Sequence, residues 1–120
     1  MKIGWICLSG IGASESFLND TLGQLEQIGD VMAVSGSSNG KRMDQGNHRY
    51  VPFNELPLTL WHTVRKKLTK RNAHREELQL RCLKMTRSIW DTFNPDIFWV
   101  EFGTTAVVAR DVLLEMDKPF

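Results

Sequence analysis

Short apolar runs that recur between longer amphipathic stretches are the feature that most constrains how this chain can fold. KIGWICL (2–8), DVMAVSG (30–36) and DIFWVEF (96–102) are nearly continuous apolar runs, as in strands buried on both faces of a sheet. RYVPF (49–53) is a fourth candidate, and its proline suits an edge strand better than a central one. The four runs predict a sheet covered by helices.

The stretches between the runs have the periodicity of helices. Apolar residues recur at helical spacing after Ser14, a predicted N-cap, and the repeat stops at Gly29, a predicted helix end. A long helical region is predicted from about 58 to 93, and its apolar stripe is interrupted at 71–75, which predicts a kink or two helices. Pro95 ends this region, because the residue before a proline avoids the helical well.

A third helical region, over residues 104–117, follows the last strand, with Thr104 or Thr105 as the predicted side-chain cap. The last three residues, 118–120, are interpreted as the entry to a fifth strand. Strands that alternate with helices imply a parallel sheet with right-handed crossovers. We therefore expect an α/β fold: a Rossmann-like parallel sheet of order 3-2-1-4, with the fifth strand missing or truncated and with flanking helices.

The expected ligand site lies where the strand order reverses, because open parallel sheets bind ligands outside the carboxyl ends of their strands at that point. In this order the reversal falls between the first and fourth strands. The loops there are SGIGASE (9–15) and EFGTT (101–105). Glu101 is expected to face the residues of the first loop, which are Gly10, Gly12, Ser14 and Glu15.

Glu101 is the unusual residue of the fourth strand, because it places a carboxylate at the tip of an apolar run. One interpretation is that it accepts hydrogen bonds from the hydroxyls of a polar ligand, or acts as a base. The other is a solvated acid near a helix N-terminus, where the helix dipole favours it by roughly 0.3–1 kcal/mol. Gly103, two residues later, allows a close approach to the backbone.

The segment Gly10-Ile11-Gly12 resembles the beginning of a dinucleotide-binding fingerprint. Glu15 occupies the position of the third glycine, and the second strand ends without the acid that would hold a ribose, so NAD or FAD is not expected. Bare amides at this helix start are still suited to a phosphate. The alternative is that the two glycines only make a tight turn.

Composition narrows the class of protein. A chain of 120 residues with a net charge of +1 fits one compact domain, and no apolar run reaches the roughly 20 residues of a membrane span. Cys7 and Cys82 are interpreted as reduced, in a cytoplasmic protein. The three histidines share no ligand spacing with each other or with cysteine, so no metal site is expected.

Positive charge is concentrated in one part of the chain. Nine Lys or Arg and two Glu lie between residues 60 and 90, which gives +7 there and −6 in the rest of a chain whose total is +1. This basic region, 65–87, is either a solvated face or a contact with an anionic membrane, where each basic residue contributes about 1 kcal/mol. No aromatic recognition motif accompanies it, so nucleic acid is not expected as a partner.

Two motifs carry a resemblance to a known family. SESFLNDTLGQL (14–25) resembles the S-E-T-F segment that follows the first strand in family 4 glycosyltransferases of the GT-B fold. NPDIFWVEFGTTA (94–106) resembles their x-P-D-[IV]-[IV]-H-x-H-F-G segment. The helix-turn LLEMDKPF (113–120) is similar to the element that leads into their fifth strand.

The resemblance implies a two-domain enzyme whose N-terminal domain binds an acceptor and whose C-terminal domain binds a nucleotide-sugar donor, without a cofactor or a metal. Residues 1–120 are then a partial N-terminal domain, and the donor domain is absent. By match, Gly10 and Gly12 lie in the loop that approaches the donor phosphate. The acceptor-side residues by match or position are Ser14, Glu15, Ser16, Glu101, Gly103, Thr104 and Thr105.

The sequence departs from the family pattern at three points. Trp99 and Glu101 stand where relatives carry the two histidines of H-x-H, and Ser16 replaces a threonine. The chain also ends before the fifth strand. We expect a sugar transferase that acts on a polysaccharide or lipid-linked acceptor at the inner face of a membrane, inactive as this fragment. The alternative is a non-catalytic, flavodoxin-like module that binds a phosphate ligand or a protein partner.

Overall fold

The computed structural model describes residues 1–8, 16–36, 46–53 and 71–120. Strands alternate with helices along the chain, as the sequence predicts. The elements in chain order are β1 (Lys2–Cys7), α1 (Ser16–Ile28), β2 (Asp30–Ser35), β3 (His48–Tyr50), α2 (Arg71–Phe93), β4 (Ile97–Glu101) and α3 (Gly103–Met116).

Within the described residues, four strands form one parallel sheet in the order β3-β2-β1-β4, flanked by three helices. The predicted Rossmann-like α/β arrangement and strand order are therefore confirmed. Trp5, in the middle of β1, is level with Ala33 of β2 and with Trp99 of β4. The order reverses between β1 and β4, so the carboxyl ends of these two strands lie side by side.

Each face of the sheet has its own core, because successive side chains of a strand point to opposite faces. The residues buried on the α1 face are Ile3, Trp5, Cys7, Leu18, Leu22, Leu25, Val31 and Ala33. Those buried under α2 and α3 are Ile6, Val34, Val51, Phe53, Leu78, Cys82, Trp90, Phe98, Val108, Ala109, Val112 and Leu113. The near-continuous apolar runs of β1 and β2 are explained by burial on both faces.

Gly4 permits the close packing of the second core. A Cβ at this position would lie 2.7 Å from the ring of Phe98 and 3.2 Å from that of Trp90. The two rings meet edge to face, with centroids 5.1 Å apart, in the geometry that aromatic quadrupoles favour. Any side chain at position 4 would displace one of these two rings.

Several predicted boundaries shift by a few residues. β3 is His48–Tyr50, so Val51, Pro52 and Phe53 follow the strand as irregular chain. The described part of α2 is Arg71–Phe93, and the predicted helical stretch 58–70 lies outside the described residues, so the prediction of a kink or two helices stays a prediction.

The helix ends agree well with the sequence signals. α1 ends at Ile28, immediately before Gly29, where a Cβ would lie 2.3 Å from the backbone oxygen of Met1. α2 ends at Phe93, and Asn94 takes the left-handed conformation with a φ of 50° before the proline. Both ends are fixed by the residue types that favour helix termination.

The last three residues do not form a strand in the structure. The backbone oxygen of Pro119 nevertheless accepts a hydrogen bond of 2.8 Å from the N–H of Phe98 in β4. The chain thus returns to the edge of β4 that faces away from β1, which is the place expected for a fifth strand.

The predicted cap of α3 is wrong. The helix already begins at Gly103, and its N-cap position is held by Phe102, with no side-chain cap hydrogen bond. Thr104 and Thr105 therefore lie inside the first turn rather than before it. The hydroxyl of Thr105 accepts a hydrogen bond of 2.9 Å from the N–H of Leu8 instead, which ties the end of β1 to the beginning of α3.

Candidate functional site

Glu101 lies at the carboxyl end of β4, beside the end of β1, where the strand order reverses. Its Oε1 accepts two hydrogen bonds from indole N–H groups. Trp5 Nε1 donates at 3.1 Å and Trp99 Nε1 donates at 3.0 Å. We call Trp5, Trp99 and Glu101 the indole–carboxylate cluster.

The pleat of the sheet brings the cluster together. Trp99 and Glu101 are two residues apart on β4, so they lie on the same face, which is the α1 face that also carries Trp5. Parallel register places Trp5 level with Trp99 and Cys7 level with Glu101. One carboxylate oxygen can therefore meet one indole from each of two neighbouring strands.

The cluster is partly buried and partly open. Trp5 is fully buried, whereas 46% of the surface of Trp99 is exposed and Glu101 is half-buried. Both indole bonds end on Oε1, so neither of them uses Oε2. A hydrogen bond to an ionised carboxylate is stronger than one between neutral groups, and the two bonds hold the carboxylate in one orientation beside an exposed aromatic ring.

The first turn of α3 lies next to the cluster. Phe102, between Glu101 and the helix, has a φ of 68° and a ψ of 146°, a backbone region that side chains with a Cβ rarely adopt. A Cβ on Gly103 would meet no atom within 4 Å. Thr104 is exposed. This turn therefore offers backbone N–H groups, an open glycine and a hydroxyl at the edge that Glu101 occupies.

Thr105 has a different environment from its neighbour Thr104. It is fully buried, and its hydroxyl is bonded to the N–H of Leu8. The prediction that Thr105 contacts an acceptor stays a prediction; in this structure the side chain joins two elements of the site and has no exposed surface of its own.

The other predicted site residues lie in or next to the loop after β1. Gly10, Gly12, Ser14 and Glu15 are outside the described residues, so their expected position opposite Glu101 stays a prediction. Ser16 is the first residue of α1. Among the described residues, the structure brings Glu101, Gly103, Thr104 and Thr105 together around the end of β4.

Sequence reasoning missed the two indoles that hold Glu101. In the sequence, Trp99 stands out only as a replacement for a family histidine, and Trp5 only as part of an apolar strand. The spacing W-x-E in β4 is a usable signal, because residues two apart on a strand share a face. The contribution of Trp5 has no local sequence signal, because it depends on the register between two strands and joins residues 96 positions apart.

The cations of the basic region differ in exposure and in pairing among the described residues. Arg87 donates hydrogen bonds to Asp91, at 2.9 Å, and to Glu115 of α3. The bond to Asp91 is the main cause that raises the pKa of Arg87. The charge of Arg87 is thus balanced locally, while Lys84 is exposed and Arg81 half-buried on α2. None of the described helices is long and apolar enough to cross a bilayer.

Two further kinds of reactive group, cysteine thiols and clusters of metal ligands, bear on a functional site in the described residues. Burial raises the pKa of the Cys82 thiol to about 12, so it stays neutral and weakly nucleophilic at ordinary pH. Within residues 1–8, 16–36, 46–53 and 71–120, no group of three or more His, Cys, Asp or Glu side chains is arranged to hold a metal ion.

Comparison of the chain with family profiles, with curated proteins and with solved structures finds no match. The class that the structure defines is an α/β chain with a Rossmann-like parallel sheet and a carboxylate at its switch point.

Proposed function

We propose that this chain is the acceptor-side part of a GT-B sugar transferase, a partial N-terminal domain whose donor-binding domain lies outside these residues. The observation that carries the proposal is the carboxylate of Glu101, held by two indole N–H groups at the point where the strand order reverses. Sheets of this kind bind their ligands at that point. The resemblance of residues 14–25 and 94–106 to family 4 glycosyltransferases supports the same interpretation.

In the proposed reaction, an acceptor hydroxyl donates a hydrogen bond to Glu101, and Glu15 is the second proposed acceptor-side carboxylate. The hydroxyl oxygen forms a bond to the anomeric carbon of a nucleotide sugar, and the bond from that carbon to the phosphate oxygen breaks. The hydroxyl proton leaves to a base, for which Glu101 is the candidate in this chain. The nucleoside diphosphate departs with its charge stabilised by backbone amides, including those of the loop at Gly10 and Gly12.

The indole bonds suit Glu101 to this role. They hold the carboxylate in one orientation before the acceptor arrives, so less ordering is needed in the transition state. They also leave Oε2 unused by the indoles. Gly103 and Thr104, in the first turn of α3, are proposed to contact the same acceptor, and Thr105 to hold that turn against β1.

The setting of the enzyme is part of the proposal. The acceptor is a polysaccharide or a lipid-linked sugar, and the enzyme works in the cytoplasm at the inner face of a membrane. Exposed cations of the basic region, such as Lys84, support peripheral contact with anionic lipids. Nucleotide sugar is a substrate here, and no cofactor, metal or nucleic acid is invoked.

The test is transfer of sugar by the complete protein encoded with this chain, assayed against a panel of nucleotide sugars and saccharide acceptors. Glu101→Gln keeps the shape of the side chain and an acceptor oxygen for the indoles, but it removes the charge. We expect at least a tenfold loss of kcat/KM, about 1.4 kcal/mol of transition-state stabilisation. Glu76→Gln, an exposed acid on α2, is the matched control.

Two results would contradict the proposal. The first is that no nucleotide sugar in the panel is turned over by the complete protein. The second is that Glu101→Gln and Glu76→Gln have the same kinetics as the wild type, which would remove Glu101 from the reaction.

The non-catalytic alternative is favoured by one observation, the uncapped first turn of α3 with open space at Gly103. A phosphate fits such a helix start. In that case inorganic phosphate or a nucleotide would bind the 120-residue chain and protect it against thermal unfolding, and no transfer activity would accompany the binding.

A further inference from the structure

The exposed face of Trp99 is the feature of the indole–carboxylate cluster that the proposed reaction does not use. Trp99 lies in the middle of a strand, level with Trp5, which is fully buried. Nevertheless 46% of Trp99 is exposed. Its indole is a large aromatic group whose Nε1 is bonded to the carboxylate of Glu101.

We propose that the ring of Trp99 is a platform for a pyranose ring, and that Glu101 accepts a hydrogen bond from a hydroxyl of the same sugar. The ligand class is therefore a saccharide, recognised by an aromatic face and a carboxylate together. This inference rests on the proposed function in taking the sugar to be the acceptor, but binding itself needs no donor and no catalysis.

The chemistry of a pyranose matches both parts of the cluster. One side of the ring presents C–H groups and is apolar, and its rim carries hydroxyls. Aromatic surface favours the C–H side, since burial of apolar area stabilises the complex and the negative face of the ring attracts the C–H dipoles. A carboxylate accepts the hydroxyls in charge-assisted hydrogen bonds. Trp99 and Glu101 supply these two features within two residues of one strand.

The hydrogen bond from Trp99 Nε1 to Glu101 fixes the platform. The bond, 3.0 Å long, limits rotation of the indole and couples its orientation to that of the carboxylate. The bond from Trp5, on the neighbouring strand β1, anchors the same oxygen. Binding then requires little ordering of side chains, which lowers the entropic cost of association.

The carboxylate also argues against a purely apolar cover for Trp99. A protein surface that buried the ring would bury the adjacent charge of Glu101 as well, and a buried charge is costly unless it is paired and hydrogen-bonded. A polyhydroxyl ligand covers the ring and satisfies the carboxylate at the same time. A saccharide is therefore the proposed occupant of this surface.

The experiment measures binding of methyl pyranosides and short oligosaccharides to the 120-residue chain by saturation-transfer-difference NMR, with no nucleotide present. We expect transfer to the C–H protons of one face of the bound sugar. Trp99→Ala is expected to weaken binding about tenfold or more, and Trp99→Phe less, because it keeps a smaller aromatic face. Glu101→Gln is expected to weaken binding while leaving stacking in place.

Three controls keep the result interpretable. Phe120→Ala removes an aromatic side chain that is 68% exposed and lies outside the cluster, so it should leave sugar binding unchanged. Circular dichroism of each variant checks that the fold persists. Phosphatidylglycerol vesicles without sugar test whether the chain binds anionic lipid by a separate surface. Binding to these vesicles should not depend on Trp99.

Three outcomes would overturn the inference. The first is that no saccharide in the panel binds, and the second is that Trp99→Ala binds as tightly as the wild type. The third is that the chain self-associates through this surface, so that light scattering shows a dimer that Trp99→Ala converts to monomer.

The failures of the two proposals are distinguishable. If a saccharide binds through Trp99 but the complete protein transfers nothing to it, the site stands and the transferase proposal fails. If the complete protein transfers sugar and Trp99→Ala leaves the KM for the acceptor unchanged, the transferase proposal stands and the platform is wrong.

Discussion

Trp5 and Trp90 are both fully buried, on opposite faces of the same sheet, but their indole N–H groups differ in hydrogen bonding. Trp5 donates to Glu101. Trp90 packs edge to face on Phe98, and among the described residues its Nε1 has no hydrogen-bond partner. One face therefore depends on a carboxylate at the candidate site, whereas the other depends on apolar packing.

The difference shows how the candidate site is tied to stability. On the α1 face, loss of Glu101 orphans a buried donor, so a change at the site is felt in the core. On the α2–α3 face, the described apolar core residues do not bond to Glu101, and their contribution comes from the volume they fill. Substitutions on the two faces test this contrast.

Trp90→Ala is expected to lower the free energy of unfolding by about 3–5 kcal/mol, because it leaves a cavity against Phe98 in a packed core. Trp90→Phe keeps most of the ring and loses no hydrogen bond, so its cost is expected to be much smaller. Urea titration followed by circular dichroism measures both. A Trp90→Phe loss as large as that of Trp90→Ala would mean that the indole N–H does have a partner.

Glu101→Leu is expected to lower the free energy of unfolding by about 1–3 kcal/mol, because the buried N–H of Trp5 loses its acceptor. Glu101→Gln retains an acceptor oxygen and should lose less. Urea titration of the three proteins gives the comparison.

A double-mutant cycle isolates the contact between Trp5 and Glu101. In a Trp5→Phe background no indole is left unsatisfied on β1, so the cost of Glu101→Leu is expected to shrink. Equal costs in the two backgrounds would show that the hydrogen bond contributes nothing.

Thr105→Val is expected to lower the free energy of unfolding by about 1–2 kcal/mol, because the N–H of Leu8 loses its partner at the junction of β1 and α3. Thr105→Ser keeps the hydroxyl and should recover most of this loss. Thr104→Val, at an exposed neighbouring position, is the control and is expected to have little effect. If Thr104→Val were the more costly change, the assigned role of Thr105 would be wrong.

Cys82 gives a pH test of the apolar face. Burial raises its pKa from 9.0 to about 12, so above its unfolded pKa the unfolded state loses a proton that the folded state keeps. Stability is therefore present in full below that pKa and is lost as pH rises, by about 1 kcal/mol between roughly pH 9 and 10.

Comparison with Cys82→Val isolates the contribution of the thiol, because the two proteins share every other effect of high pH. The difference in unfolding free energy between the two proteins is expected to change in favour of Cys82→Val as pH rises. A difference that stays constant with pH would mean that the thiol is accessible to base in the folded state.

Much of the fold followed from the sequence, because its signals are local. Strands buried on both faces read as apolar runs, and helix ends coincide with Gly29 and with the residue before Pro95. The strand order followed from handedness rules that hold for parallel sheets in general. The cap of α3 was predicted wrongly because Phe102 adopts a positive φ, which residue preferences make improbable for an aromatic side chain.

The sequence by itself determined that a carboxylate would stand at the end of the fourth strand, beside the reversal of strand order. Only the tertiary structure decided what holds that carboxylate. The partners of Glu101 are an indole two residues away and another 96 positions away, and the second depends on the register of β1 against β4. The buried position of Thr105 also depends on tertiary structure, because its hydroxyl accepts the hydrogen bond of the Leu8 N–H after β1. Such contacts depend on strand pairing, and local residue patterns do not encode them.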